Sequence, residues 1–460
     1  MPLEKQRRCV ADRLADQTLQ KALAKALAQV REKSAVALDE LCDHEGLFHA
    51  LAAERRACLD SLPSLLLELE ANLQSGGSHV LWAATAQHAV DAVVELAKAR
   101  GVSQAIFAKS MVAEEIELEK GLERSGVTVT QTDLGERIVQ LAGQRPSHVT
   151  APCIHMNKET IAELLHKTGG MPLPADAPEM CRFLSHNLRH AFCEAGMGVT
   201  GANTAVASTG EIVLVENEGN VRMSYTVPRL HVVLLGIERL VQSPEQALHL
   251  LDLLPRAATG QRSPAYISWL PPTPLPGQER FVIFVDNGRT ELYSTALHRN
   301  VLACIRCGRC MNICPVYERV GGHAYGWTYP GPIGLALAPF LAPGQAAEAL
   351  NLCTLCGACA EACPVEIPLD SAIVRSRAVA SMDPDDRQLQ EILLARWAKA
   401  WATPARYKAT HWAHRTARKL FPKKVGRMEE RFGWGEGRLA PIPARQLFRI
   451  WWKRNRRKEA

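Results

Sequence analysis

CIRCGRCMNICPV, residues 304–316, and CTLCGACAEACPV, residues 353–365, follow one pattern, Cys-x2-Cys-x2-Cys-x3-Cys-Pro. The first copy supplies Cys304, Cys307, Cys310 and Cys314, and the second supplies Cys353, Cys356, Cys359 and Cys363. Three thiols on one compact loop can face three irons of a single cubane, while the fourth opens a departing segment. This is the ferredoxin run for [4Fe–4S] clusters, in which the fourth cysteine serves the other cluster. The expectation is therefore two clusters with crossed ligands. One takes Cys304, Cys307, Cys310 and Cys363, and the other takes Cys353, Cys356, Cys359 and Cys314. Structural zinc is held by paired Cys-x2-Cys units and fits this run poorly. Such clusters move single electrons. Arg306 and Arg309 lie inside the first loop and the second has no such charge. Cationic neighbours favour the reduced cluster, so the first is expected to have the higher potential.

Between the two copies, GGHAYGWTYPGPIGLAL (residues 321–337) reads as an irregular loop because of its glycines and prolines. His323 there is a candidate ligand or proton carrier, against the more ordinary role of a hydrogen-bonded structural histidine. Tyr325, Trp327 and Tyr329 are candidates to shield a cluster or line a quinone or partner contact, with packing as the plainer reading.

Working outward, the chain has 460 residues, of which 47% are hydrophobic, enough for more than one domain and a sizeable core. Eight of its fourteen cysteines sit in the two runs. The charged start shows no apolar signal region and no stretch is long and apolar enough to span a membrane, so a reducing cytoplasm is expected. The remaining cysteines, Cys9, Cys42, Cys58, Cys153, Cys181 and Cys193, read as small buried apolar residues.

Four parts follow. Residues 1–77 are expected to form amphipathic helices, with Leu19, Leu23, Leu27 and Val30 on one stripe. Residues 78–299 alternate strand-like runs with helical patterns: HVLWAA, QAIFAKS, SHVTAPC, GEIVLVEN, HVVLLGI and RFVIFVDNG. That alternation predicts an α/β domain with a largely parallel sheet, and ligands of such sheets sit at the carboxyl ends of the strands. Lys109 and Asp286 lie just past such runs. The segment from Gly198 to Tyr225, with Thr200, Gly201, Asn203, Ser208, Thr209, Gly210 and Gly219, is either an anion-accepting turn or a tightly turned sheet. Neither a dinucleotide fingerprint nor a Walker A loop is present. Residues 300–380 are the mainly helical two-cluster part.

The last part, 381–460, is basic. From residue 391 onward it has nineteen Lys/Arg against five Glu, a surplus of 14 in a chain whose net charge is +6, and it holds six of the nine tryptophans. Basic residues interleaved with tryptophan suit a partner subunit or a membrane surface, and no nucleic-acid motif accompanies them.

Taken together, AKSMVAEEIELEKGLE, GVTGANTAVASTGEIVLVENEGN, FVDNGR, the two cysteine runs and GGHAYGWTYPGPIG are similar to the lactate utilization protein B family over nearly the whole chain. Trp327 departs from the family, where that position is commonly smaller. The resemblance implies that residues 78–299 form a LUD domain, akin to the ribose-5-phosphate isomerase and CoA-transferase group. It also implies an iron–sulfur subunit of a three-protein system oxidising L-lactate to pyruvate. The implied partners are a cysteine-rich subunit like those of heterodisulfide reductases and a smaller LUD protein. The expected location is the cytoplasm, with the inner membrane face as the alternative. Two functions stay open on the sequence. In one the chain is an electron relay rather than a self-sufficient enzyme, within this or a related quinone- or heterodisulfide-linked system. In the other its α/β domain itself binds the 2-hydroxy acid, with Lys109, Arg222, Arg229, His155 and His231 as candidates by residue type.

Overall fold

The structure is a computed structural model and describes residues 3–169, 173–296, 298–344, 348–380, 384–422, 424 and 448–455. The chain divides into a unit of residues 1–380 and a unit of residues 381–460.

Four helices open the first unit: α1 (Leu3–Ala15), α2 (Gln17–Asp39), α3 (His44–Asp60) and α4 (Leu62–Ser75). Asp16 starts α2 by accepting a hydrogen bond from the Leu19 N–H, and Asp43 starts α3 by accepting from Gly46. The stripe expected on α2 is buried at Leu19, Leu23 and Leu27, each worth about 2 kcal/mol of transfer free energy. Its fourth member, Val30, is half-buried.

Ten strands follow: β1 (His79–Ala83), β2 (Gln104–Phe107), β3 (Thr128–Gln131), β4 (Met197–Thr200), β5 (Thr204–Val206), β6 (Ile212–Glu216), β7 (Leu230–Gly236), β8 (Leu240–Val241), β9 (Tyr266–Leu270) and β10 (Glu279–Val285). Six make a wholly parallel sheet in the order β1-β10-β7-β4-β2-β3. Its central strand β7 is buried along its whole length, which is why that run reads as continuously apolar.

Two expected strands behave differently. GEIVLVEN does form β6, but in a second sheet, β8-β5-β6-β9. Gly210 (φ 74°) returns the chain directly from β5, and so short a return permits only antiparallel pairing. SHVTAPC is no strand. The His148 ring accepts from the N–H groups of Thr150 and Ala151, and Ser147 N–H donates to the Pro152 carbonyl, closing the segment into turns.

Gly198 in β4 shows why that strand is poor in side chains. A Cβ there would lie 1.8 Å from the Ser224 carbonyl oxygen. Gly198→Ala is expected to force strand and helix apart at a cost of about 1–3 kcal/mol, read as a lowered thermal midpoint.

After β10 the described elements of the first unit are short helices and 3-10 turns, ending with Leu369–Ala380. The stretch read as an irregular loop is partly helical: Gly322–Tyr325 is a 3-10 turn and Gly331–Leu341 a helix. Pro332 falls in that helix's first turn, where it costs no hydrogen bond. One hydrophobic cluster runs from Leu19 of α2 through β5–β8 to Ile373, so the helices, sheets and cysteine loops of this unit share a core.

The second unit contains helices Pro384–Trp401, Pro404–Leu420 and Phe448–Asn455. Trp397, Trp401, Trp412, Trp451 and Trp452 are 46–70% exposed. Trp434 lies outside the described residues. No described helix is long and apolar enough to cross a membrane.

Of the six scattered cysteines only Cys58 is buried; Cys9 and Cys153 are half-buried, and Cys42, Cys181 and Cys193 are exposed. Cys181 and Cys193 lie on the helix Ala177–Glu194, whose buried residues are Met180, Leu184 and Phe192. The wet side of an amphipathic helix tolerates a small thiol at little cost.

Candidate iron–sulfur site

The two cysteine runs repeat in backbone as well as in sequence. Arg306 (φ 59°) and Leu355 (φ 57°) both take the left-handed conformation one residue before the second cysteine, and Gly308 and Gly357 take it one residue after. A left-handed non-glycine residue costs about 1–2 kcal/mol, so its recurrence marks a turn imposed by the loop's closure. The turn brings the Arg306 N–H to the Cys304 Sγ at 3.3 Å and the Leu355 N–H to the Cys353 Sγ at 3.4 Å. Short helices Arg309–Asn312 and Ala358–Glu361 then carry Cys310 and Cys359. Cys314 caps the helix Pro315–Val320, accepting from the Tyr317 N–H at 3.5 Å. Backbone N–H groups of Arg309, Ile333 and Ile367 face Cys307, Cys310 and Cys363.

The fourth cysteines cross over. Cys314 lines one cavity with Cys353, Cys356 and Cys359, walled by Tyr325 and Leu335. Cys363 stands close enough to Cys304, Cys307 and Cys310 to perturb their charges. Burial, then the neighbouring thiols, pushes Cys307 and Cys359 up to about 12, and burial holds Cys363 at about 11. Four crowded thiols of this kind cannot all ionise unless a cationic group shares their charge. Backbone N–H groups aimed at sulfur and two sets of four thiols fit iron–sulfur clusters. Among the described residues no three His, Cys, Asp or Glu side chains converge on a single metal ion. In a cubane each thiolate meets a different iron, so the four need not converge.

The two groups differ in exposure. Cys304, Cys307, Cys310 and Cys363 are all buried, whereas Cys314 and Cys353 are half-buried and Cys356 is exposed. Of the loop's aromatic residues, Tyr325 turns toward Cys314, and before the loop Tyr317 donates from its hydroxyl to the Ser147 carbonyl at 2.6 Å. Trp327 packs edge-on against Tyr329 at 5.3 Å. His323 donates from Nε2 to the Arg145 carbonyl and lies 4.6 Å, ring to ring, from His155.

The first loop is fastened to the α/β part by buried charge. Arg306 stacks on the Tyr329 ring (4.8 Å) and pairs with Glu238 Oε1 at 3.3 Å. Glu238 also pairs with Arg289 at 2.7 Å, Arg289 with Glu115 at 2.7 Å, and the Tyr329 hydroxyl donates to Glu115 at 2.7 Å. Burial opposes the charge on Glu238, but Arg289 and Arg306 outweigh it and hold its carboxyl at about 2. Arg55 of α3 reaches the carbonyls of Glu238, Leu240, Leu302 and Ala303, clipping the turn after β7 to the approach to Cys304. Glu238 partly offsets the charge of Arg306, while Arg309 donates to the Ser34 hydroxyl at 2.8 Å. The sequence reading missed Glu115, Glu238, Arg55 and Arg239. The signal for the last three was weak: a Glu-Arg pair directly after an apolar strand, and an arginine in a helical stripe.

The five residues proposed by type for a substrate site do not gather. Arg222 and Arg229 are exposed, and Arg222 stacks on Tyr266. His231 is buried inside β7, bonded to Thr200 at 3.0 Å, and burial drives its pKa far down. His155 bonds Gln144 at 2.7 Å, and burial takes it down to about 3. Lys109 alone reaches a cavity of about 250 Å3 at the carboxyl ends of β2, β4 and β7, and it is paired there with Glu136 at 2.8 Å. Asp286 accepts from the Thr290 N–H and hydroxyl instead of facing a ligand.

Two family models match the chain in turn. Residues 66–281 match the model of the LUD domain, and residues 300–367 match that of the 4Fe-4S dicluster domain. Lactate utilization protein B 1 of Bacillus mycoides (strain KBAB4) is 37% identical over 96% of this chain and 94% of its own. An uncharacterized electron transport protein of Escherichia coli (strain K12), YkgF, is 35% identical over 98% of this chain and 96% of its own. A crystal structure of a duf162 family protein from Deinococcus radiodurans covers 49% of this chain and 98% of that one, with 15% identity and a TM-score of 0.26.

Proposed function

The chain belongs to the lactate utilization protein B family, and on that premise we propose that it is the electron-transfer subunit of a system oxidising L-lactate to pyruvate. The observation that carries this reading is the crossed grouping of thiols, Cys314 with the second loop and Cys363 with the first. In the proposed arrangement Cys304, Cys307, Cys310 and Cys363 hold one [4Fe–4S] cluster, and Cys353, Cys356, Cys359 and Cys314 hold the other. Each cluster would accept and release one electron at a time. The two groups differ in their surroundings. The first set of thiols is buried beside the α/β sheets, and the second reaches the surface at Cys356. Tyr325 and Leu335 wall the second group.

Lactate gives up two electrons, which two such groups can take together. The test is visible absorption of the anaerobic holoprotein with lactate. Absorption is expected to bleach only when the partner subunits are also present, a cysteine-rich heterodisulfide-reductase-like protein and a smaller LUD protein. Bleaching of the isolated chain would overturn the relay reading, and no bleaching with all partners would remove lactate as the electron source.

The exposed tryptophans and positive charge after residue 391 support docking to a partner subunit, with a membrane surface as the other outcome. Removing residues 391–460 is expected to leave the cluster absorption intact and to weaken association with partners in a salt-sensitive way, most at low salt, where the tail's charge is least screened. Unchanged co-purification at low and high salt would contradict this role.

A further inference from the structure

The cavity at the strand ends touches the first cysteine loop. Its walls include Ser110 after β2, Asn203 after β4, Arg239 after β7, and Ile305 and Arg306 from between Cys304 and Cys307. We propose that this cavity binds a small 2-hydroxy acid anion, its carboxylate between Arg239 and Arg306 and its hydroxyl on Asn220, directly against the Cys304–Cys310 loop. The proposal rests on the electron-transfer reading above and adds the site at which the acid is held.

Two unpartnered buried atoms call for such a ligand. Arg306 is 94% buried as a side chain, and while one arm pairs with Glu238, its Nη1 has no hydrogen-bond partner. Asn220 is 6% exposed, and its Oδ1 has none either. Its amide orientation is fixed from the other side. Thr132 Oγ1 donates to the Phe107 carbonyl and so accepts from Asn220 Nδ2. A buried donor or acceptor left alone costs about 1–3 kcal/mol, so two on residues that line one cavity are a standing reason for a ligand. The first asks for an anion and the second for a hydroxyl donor. A 2-hydroxy acid supplies both within three atoms, and an amide or a plain carboxylic acid does not.

Four carboxylates, Asp133, Glu216, Glu218 and Glu238, also line the cavity, and Glu238 pairs with one arm of Arg306 while Nη1 stays without a partner. Glu216 accepts from the Val221 and Arg222 N–H groups, Asp133 from the Glu136 N–H, and Lys109 is paired with Glu136. Arg239 has the Cys304 carbonyl at 3.1 Å as its hydrogen-bond partner. Arg239 and Arg306 line the same cavity, and an anion between the two would relieve their mutual repulsion. A volume of about 250 Å3 takes a small acid with several waters.

The experiment uses the full-length protein with its clusters in place. L-lactate, D-lactate, propionate and lactamide are titrated calorimetrically, and the EPR spectrum of the reduced protein is recorded with and without each. Saturable binding of one lactate enantiomer is expected, with propionate at least tenfold weaker and lactamide not bound. The bound lactate is expected to shift the signal that Cys304→Ser removes and to leave the other unchanged. Arg239→Gln is expected to weaken binding at least tenfold at unchanged cluster absorption. Val215→Trp, which fills the cavity from β6, is expected to abolish it, and it decides the matter if Arg239→Gln loses its clusters. Absence of saturable lactate binding, equal binding of lactamide, or undiminished binding in Val215→Trp overturns the proposal. Lactate-driven bleaching with partners but no binding to this chain would sink the site and keep the relay. Binding without bleaching under any combination of partners would do the reverse.

Discussion

Cys314→Ser is expected to destroy the cluster held in the Cys353 loop and to spare the one held by the loop in which Cys314 itself stands. Cys314 lines a cavity with Cys353, Cys356 and Cys359, while the Cys304 loop is completed by Cys363. A hydroxyl ligates iron far more weakly than a thiolate, so the substituted corner opens to water and oxygen. Visible absorption should fall by about half, since one of two similar chromophores is lost. The signal that survives in EPR should be the one abolished by Cys304→Ser. Cys363→Ser should give the mirror result. Loss of the Cys304-side signal in Cys314→Ser would mean that each run closes on its own cluster.

Arg289→Met is expected to be among the most destabilising single changes in the first unit. Arg289 is fully buried and is paired on one side with Glu238 and on the other with Glu115, both themselves buried. Removing the shared cation strands two carboxylates away from water. Breaking a buried pair in this way costs about 3–5 kcal/mol. Because Glu238 and Tyr329 also hold Arg306, the damage should reach the first cysteine loop. The variant should unfold at a temperature lower by several degrees or more, and its first cluster should be bleached by air sooner than its second. The exposed pair Arg262–Glu40 is the control: Arg262→Met should leave the thermal midpoint where it was, because water screens and replaces that contact. Equal midpoints for Arg289→Met and the wild type would show that the buried charges do not fasten the loop.

Local features of this chain were legible and distant pairings were not. The proposed cluster ligands stand out because eight thiols recur within two stretches of thirteen residues each. The strands β2, β7 and β10 announce themselves as apolar runs, since both faces of a parallel sheet are covered there, and the edge strand β1 reads as one although only Ala83 of it is buried. β4 does not, because Gly198 must be bare where Ser224 approaches, and β5 is three residues long. GEIVLVEN reads as a strand but not as a member of another sheet. That depends on the turn at Gly210, which no periodicity records. The helix Gly331–Leu341 is concealed by its own Pro and Gly. Gly334 is needed there because a Cβ would lie 1.6 Å from the Tyr329 carbonyl oxygen. The site next to the first loop was least legible. Glu115, Glu238 and Arg289 look like surface charges in sequence, and the partners of Arg289 stand 51 and 174 positions away. Among residues chosen by type, His231 proved to be buried and His155 half-buried, both already bonded, and Arg222 and Arg229 to face solvent.

The account depends most on there being two clusters close enough to act as one relay. Iron and acid-labile sulfide, measured on the anaerobically prepared full-length protein together with EPR of its fully reduced form, test this directly. About eight irons and eight sulfides per chain are expected, with two S = 1/2 signals broadened by their mutual interaction. About four irons per chain with a single unbroadened signal, or bound zinc in place of iron, would contradict it.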